Sequence, residues 1–144
     1  MTSDPSCIFC DIVRGTAPAH IVCEDEHSIA ILDIAPAAEG HILVIPRTHF
    51  RTLIDIDETS AGALMSFATK VASVIDRTLH PDGMTLIQTN ENAGGQSVFH
   101  IHLHLVPRWN DDNLIKPWRT LRVPAELLAS TRMRLMQEVR NPSP

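Results

Sequence analysis

In His100-Ile101-His102-Leu103-His104-Leu105-Val106, histidine and aliphatic residues alternate without a break. Period two is the period of a β-strand, so the run reads as an extended segment with three imidazoles on one face and Ile101, Leu103 and Leu105 on the other. Any fold that accepts it must cover the aliphatic face with a core and find a use for the imidazole face. Roots of successive rings lie about 7 Å apart at a rise of roughly 3.3 Å per residue. Three histidines on one face cost too much desolvation to be filler. Two chemistries remain, metal coordination and nucleophilic catalysis. An i, i+2, i+4 row does not readily place three nitrogens about 2 Å from one ion unless the strand bends, so the row divides more naturally between jobs. Neutral imidazole is also a competent nucleophile toward phosphorus near pH 7.

The residues just before the row favour phosphate chemistry. Gly94-Gly95-Gln96-Ser97 offers a tight turn whose backbone, amide and hydroxyl can donate to phosphate oxygens. No Gly-Lys-Ser/Thr follows, which excludes a P-loop kinase or ATPase. Twelve Lys and Arg against 17 Asp and Glu give a net charge of -5, and there is no Tyr. That balance disfavours nucleic acid and anionic membranes as partners and leaves a small anionic ligand, whose pocket the distant charges reach only through salt screening. The N-terminus shows no basic-then-apolar leader, which predicts a cytoplasmic protein. Three cysteines form an odd set, and Cys7-x-x-Cys10 reads as metal or redox chemistry more than as a disulfide framework.

With 144 residues and 44% hydrophobic content, a single domain spanning 1–144 is expected, with a loose leader over 1–6 and a frayed tail over 140–144. Spacing predicts a short amphipathic helix around Ile8–Val13, closed by Gly15 and Pro18. Strands follow over Ile21–Ile34, interrupted at Glu24–His27, and over His41–Ile45. A long helix over about Asp57–Leu79 carries the stripe Leu64, Phe67, Ala68, Val71, Val74 and Ile75. Met84–Gln88 reads as a strand, Asn90–Gly95 as a loop, Val98–Val106 as a strand, and Ala125–Val139 as a second helix. The pattern is that of an α+β domain with a mainly antiparallel sheet, one long helix and one or two short ones.

The segment from Asn90 to Val106 resembles the signature of the HIT (histidine triad) nucleotide-binding family, in its Hint-like branch. The likeness extends through Cys7–Cys10, Ile31–Ile34 and Gly40–His49. It implies a nucleotide hydrolase or transferase in which His102 attacks the α-phosphorus and carries a nucleotidyl-histidine intermediate. By the same resemblance His104 and Ser97 contact phosphate and leaving group, Gln96 lies beside the scissile bond, and His41 stands near the nucleophile. Asp33 takes the ribose hydroxyls, Asn90 lies near ribose and phosphate, and Phe9, Ile12, Ile34 and Leu43 form the slot for the base; Gly95, through its backbone donor, is a further nucleotide-binding candidate. Cys7, Cys10, His49 and His100 resemble a Cys2His2 zinc site of structural type. No organic cofactor is implied. The implied substrate is a purine nucleoside phosphoramidate; a dinucleoside polyphosphate and a purely regulatory nucleotide-binding role are the alternatives. A homodimer with a continuous sheet is implied as well. Trp109 and Trp118 follow the triad, where they either stack on a leaving group or pack in a subunit interface.

Overall fold

A computed structural model describes residues 3–114 and 121–140, which belong to two compact units divided at Leu114. The first unit contains α1 (Ile8–Arg14), β1 (Ile21–Glu24), β2 (Ser28–Leu32), β3 (Ile42–Pro46), α2 (Glu58–Leu79), β4 (Gly83–Ile87), α3 (Glu91–Gly94) and β5 (Leu103–Arg108). Its sheet is antiparallel throughout, in the order β1-β2-β3-β5-β4. The expected α+β class with a mainly antiparallel sheet is the observed one.

Alternation along β3 decides what lies on each side. Ile42 and Val44 join Leu103 and Leu105 beneath α2, whose Leu64, Phe67, Ala68, Val71 and Ile75 are buried there. Leu43 and Ile45 face the other way and pack with Ile29, Ile31 and the α1 residues Phe9, Cys10 and Ile12. Burying each large aliphatic or aromatic side chain is worth about 1.5–3 kcal/mol, so both layers are firmly held to the sheet. Since Leu103 and Leu105 serve the α2 side, His104 between them belongs to the α1 side.

The long helix starts where its sequence predicts. Asp57 Oδ1 accepts from the Ser60 N–H at 2.9 Å, a side-chain cap on otherwise orphan helix donors. It ends at His80, in left-handed conformation, ahead of Pro81. Gly40, at φ +76°, passes so close to Leu79 that an added Cβ would meet its Cδ1 at 2.3 Å.

Two expectations need correction. The histidine strand begins at Leu103, not Val98. The His100 N–H turns back to Val98 O, the Ile101 N–H goes to Phe50 O, and His100 O accepts from the His102 ring. Backbone groups spent this way cannot extend a ladder, so 98–102 bends. The segment expected as a loop at Asn90–Gly95 contains the single turn α3, closed by Gly95 at φ +92°.

The second unit contributes α4 (Ala125–Arg140), a 16-residue helix whose Leu127, Leu128, Met133, Leu135 and Val139 are exposed. Trp118 and the chain end from 141 lie outside the described residues. Among those described, no helix is long and apolar enough to cross a membrane.

Candidate active site

The bend before β5 sends the three triad rings to two places. His100 is fully buried and leans on His49, with ring centroids 4.8 Å apart. His102 and His104 stay together, 4.9 Å between centroids, and line a cavity of about 420 Å³ on the α1 side of the sheet. Phe9 meets His102 edge-on at 5.1 Å.

Hydrogen bonds fix the protonation of the three rings at the cavity, His102, His41 and His104. His102 Nδ1 lies 2.6 Å from the His100 carbonyl, which only accepts, so Nδ1 carries the proton and Nε2 keeps its lone pair. His41 Nδ1 accepts from the Ala37 N–H at 3.0 Å, which puts that ring's proton on Nε2. His41 Nε2–H then donates to His104 Nδ1 at 2.9 Å, and His104 must carry its own proton on Nε2. The pair therefore presents one bare nitrogen, on His102, and one N–H donor, on His104. Asp33 stands behind them, Oδ2 at 3.6 Å from His41 Nε2 and 4.0 Å from His104 Nδ1.

Burial keeps the rings neutral. Desolvation pushes His104 down to about 4, helped by the neighbouring His102 and His41, and lowers His102 and His41 as well. Asp33 opposes the shift at all three.

Of the residues expected around a base, Phe9, Ile12 and Leu43 are buried and line the cavity wall, while Ile34 is almost wholly exposed at its rim. Asp33 lies at the same mouth. Ala17, Pro18 and Ala19 also line the wall; the sequence reading took Pro18 only as a helix stop and missed Ala17 and Ala19.

The loop ahead of the triad departs from expectation. Gly95 N–H and Gln96 N–H are taken by Asn92 O and Glu91 O inside the α3 turn, so neither is free for phosphate. The Gln96 amide is buried and also spent on backbone: Oε1 accepts from the Glu91 N–H at 2.7 Å, and Nε2 donates to Arg51 O at 2.7 Å and Val98 O at 3.1 Å. Those bonds hold Glu91 in a left-handed conformation, φ +59°, unusual for a side-chain-bearing residue. Asn90 faces the same way, accepting from Leu53 N–H and pairing with Gln88, and does not line the cavity. Ser97 does, and its hydroxyl makes no hydrogen bond among the described residues.

The second cluster gathers Cys7, Cys10, His49 and His100, with one ligand atom of each within 4.8 Å of the others. His100 Nε2–H donates to Pro46 O at 2.9 Å, leaving Nδ1 as the lone pair, 3.5 Å from Cys7 Sγ and 3.7 Å from Cys10 Sγ. Cys10 Sγ is 3.4 Å from His49 Nδ1. A tetrahedral ion with bonds of about 2.3 Å to sulfur and 2.05 Å to nitrogen has S···N edges of roughly 3.6 Å, so the donor set fits such an ion with little movement. Burial drives His100 down to about 4, keeping it neutral as a ligand must be.

Fold and site together define a class. An antiparallel sheet that seats a bare imidazole nitrogen beside an imidazole donor, at the end of an apolar cavity, is the arrangement of the histidine triad nucleotide hydrolases. The HIT domain family model matches residues 14–111, and the chain belongs to that family, in its Hint-like branch. It is 36% identical over 107 residues to adenosine 5'-monophosphoramidase hnt1 of Schizosaccharomyces pombe, covering 74% of this chain and 77% of that protein. Its fold matches the crystal structure of SMU.412c from Streptococcus mutans UA159 at a TM-score of 0.91 and 36% identity, over 95% of this chain and 87% of that one. A zinc-bound histidine triad family protein from Mycobacterium smegmatis matches at 0.73 and 40% identity, over 92% and 94%. The protein is a HIT-type enzyme.

Proposed function

We propose that the protein hydrolyses purine nucleoside phosphoramidates through a nucleotidyl-histidine on His102, releasing the nucleoside monophosphate and an amine. The observation that carries this reading is the forced tautomer pair. In the first step the His102 Nε2 lone pair bonds to the α-phosphorus and the P–N bond breaks. Its electron pair stays on the departing nitrogen, which accepts a hydrogen bond from His104 Nε2–H and takes its proton from solvent. In the second step water bonds to phosphorus and gives up a proton to solvent, and the pair of the P–Nε2 bond returns to His102. Ser97 contributes its free hydroxyl to the phosphate, and His41, backed by Asp33, keeps His104 in the donating tautomer. Asp33 accepts from the ribose hydroxyls, and Phe9, Ile12, Leu43 and Ile34 receive the base. Gln96 acts on the shape of the loop; Asn90 and Gly95 serve there as well.

Zinc is the ion proposed for Cys7, Cys10, His49 and His100; it would be structural, because four protein ligands leave no open position. The zinc-bound relative supports this reading. A cytoplasmic homodimer is proposed too: β4 ends the sheet, and an uncovered edge strand is commonly buried by pairing with a second copy.

The test is hydrolysis of adenosine 5'-phosphoramidate by wild type and His102→Ala, with mass spectrometry of quenched wild-type reactions. A nucleotidyl mass increment on His102 and its loss in the variant are expected. Equal, slow release from both proteins would sink the reading.

A further inference from the structure

Cys7-x-x-Cys10 admits redox chemistry as well as a metal, and the fold supplies what an oxidisable pair needs. Both residues are free thiols, and their sulfurs lie within 4.8 Å of each other. Cys7 stands just ahead of α1 and Cys10 in its first turn, so the two side chains come off one face. Closing a disulfide between sulfurs that already converge takes side-chain rotation rather than a change of fold.

The cluster is open to solvent on one side. Cys7 and His49 line a cavity of about 500 Å³ whose other polar walls are Asp4, Ser6, Arg51 and Ser97, a space that water and hydrogen peroxide can enter. Cys10 does not line it: the residue is 2% exposed, and the Asp4 N–H rests against its sulfur at 3.4 Å. The two thiols are therefore unequal. Cys7 meets an oxidant first, and Cys10 is placed to resolve it. Cys23 gives the contrast, since it packs with the α2 layer while Cys7 and Cys10 pack with the α1 layer. Burial pushes both the Cys7 and the Cys23 thiol up, so acidity does not separate them. What separates them is the neighbouring sulfur and the open wall.

We propose that Cys7 and Cys10 are an oxidisable pair, converted by hydrogen peroxide to a disulfide in a reaction that starts at Cys7. The Cys7 sulfur bonds to one peroxide oxygen, the O–O bond breaks, and the departing hydroxide leaves as water with the thiol proton. The Cys10 sulfur then bonds to the Cys7 sulfur, the S–O bond breaks, and a second water leaves with the Cys10 proton. The thiols lose a pair of electrons in all, and the peroxide gains it. A metal ligand must be a thiolate, so oxidation removes both sulfurs from the donor set of Cys7, Cys10, His49 and His100. The disulfide and a bound ion are thus alternative states of one site. That exclusion rests on the zinc reading; the oxidisable pair does not.

The experiment treats wild-type protein, freed of reductant, with hydrogen peroxide, then denatures, alkylates and digests it with trypsin. Residues 1–14 come off as one peptide holding both thiols. That peptide is expected to lose about 2 Da and resist alkylation, at least about tenfold faster than Cys23 is lost, and dithiothreitol should reverse the change. A chromogenic chelator should register ion release in step with the disulfide. In Cys10→Ser the reaction should stop at a sulfenic acid on Cys7, trapped by dimedone; in Cys7→Ser, Cys10 should gain the adduct about tenfold more slowly. The wild-type peptide map carries the test if either variant folds poorly. Cys7 and Cys10 still open to alkylation once Cys23 is oxidised, equal adduct in the two variants, or a disulfide with the ion still bound overturns the proposal. A disulfide formed by protein that never held zinc refutes the zinc reading and upholds the pair. Zinc retained over intact thiols does the reverse.

Discussion

Replacing Gln96 by leucine separates two uses of one side chain. Its amide makes three hydrogen bonds, to Glu91 N–H, Arg51 O and Val98 O, and all three bind backbone to backbone across the loop that carries Ser97. Leucine keeps much of the volume and removes the bonds. A net loss of about 1 kcal/mol per bond applies where the stranded backbone groups regain water, and two of the three belong to Arg51 and Glu91, which are exposed residues. The expected cost is therefore about 2–3 kcal/mol, a fall in melting temperature of roughly 5–10 °C for a chain this size. Urea unfolding followed by circular dichroism reads it as a shift in midpoint at constant slope. Released from Gln96, Glu91 can leave its left-handed conformation and Ser97 shifts with it, so kcat/KM should fall by about tenfold or more. Gln96→Glu sharpens the comparison. An ionised glutamate still accepts from the Glu91 N–H but cannot donate to Arg51 O or Val98 O, so its defect should shrink as pH drops and the carboxyl regains a proton. Unchanged stability in Gln96→Leu, within about 0.5 kcal/mol, together with lost activity would refute the reasoning and return the amide to the substrate.

Other outcomes follow from the same geometry. His100 and His104 titrate at about 4 when folded against roughly 6.5 when unfolded. Between those values the unfolded chain binds protons the native one does not, so stability is full above pH 6.5 and falls as pH falls. From pH 6.5 to 5, metal-free protein should lose up to about 2 kcal/mol per buried histidine, and His104→Asn should flatten the slope of urea-measured stability. Protein purified without added zinc should contain about one ion per chain by elemental analysis, Cys10→Ala should contain none, and chelation should lower the melting temperature by about 10 °C or more. Gly40→Ala must place a Cβ against Leu79 at φ +76°, and calorimetry should show a loss of about 1–2 kcal/mol.

The aliphatic half of the triad segment was legible because a two-residue period has one structural meaning, and Leu103 and Leu105 do lie in the core beneath α2. The α2 stripe, its Asp57 cap and its end at His80-Pro81 were legible for a similar reason: each is a short-range preference written within a few residues. Less was legible where a group far along the chain competes. Alternation alone would carry the strand back to Val98, but Phe50 O and the His102 ring claim the backbone first. Gln96 looks like a phosphate ligand in a Gly-Gly-Gln-Ser run, and only the approach of Arg51 from 45 residues away shows where its amide goes. The stacking of the Arg51 guanidinium on the Phe99 ring, 4.1 Å from its centroid, left no trace in spacing at all.

What the sequence by itself determined is the inventory: an α+β chain, a row of imidazoles backed by core residues, two cysteines at metal spacing, and membership of a family whose motif the triad segment matches. What the tertiary structure decided is the state and partner of each group. Pro46 O, His100 O and the Ala37 N–H fix which nitrogen of each ring is bare, and the bend at 98–102 sends His100 to the cysteines and His102 to the cavity. The physical reason is that a histidine's chemistry depends on which of two nearly equivalent tautomers it adopts. A single backbone hydrogen bond settles that choice, and the backbone group that makes it can come from anywhere in the chain.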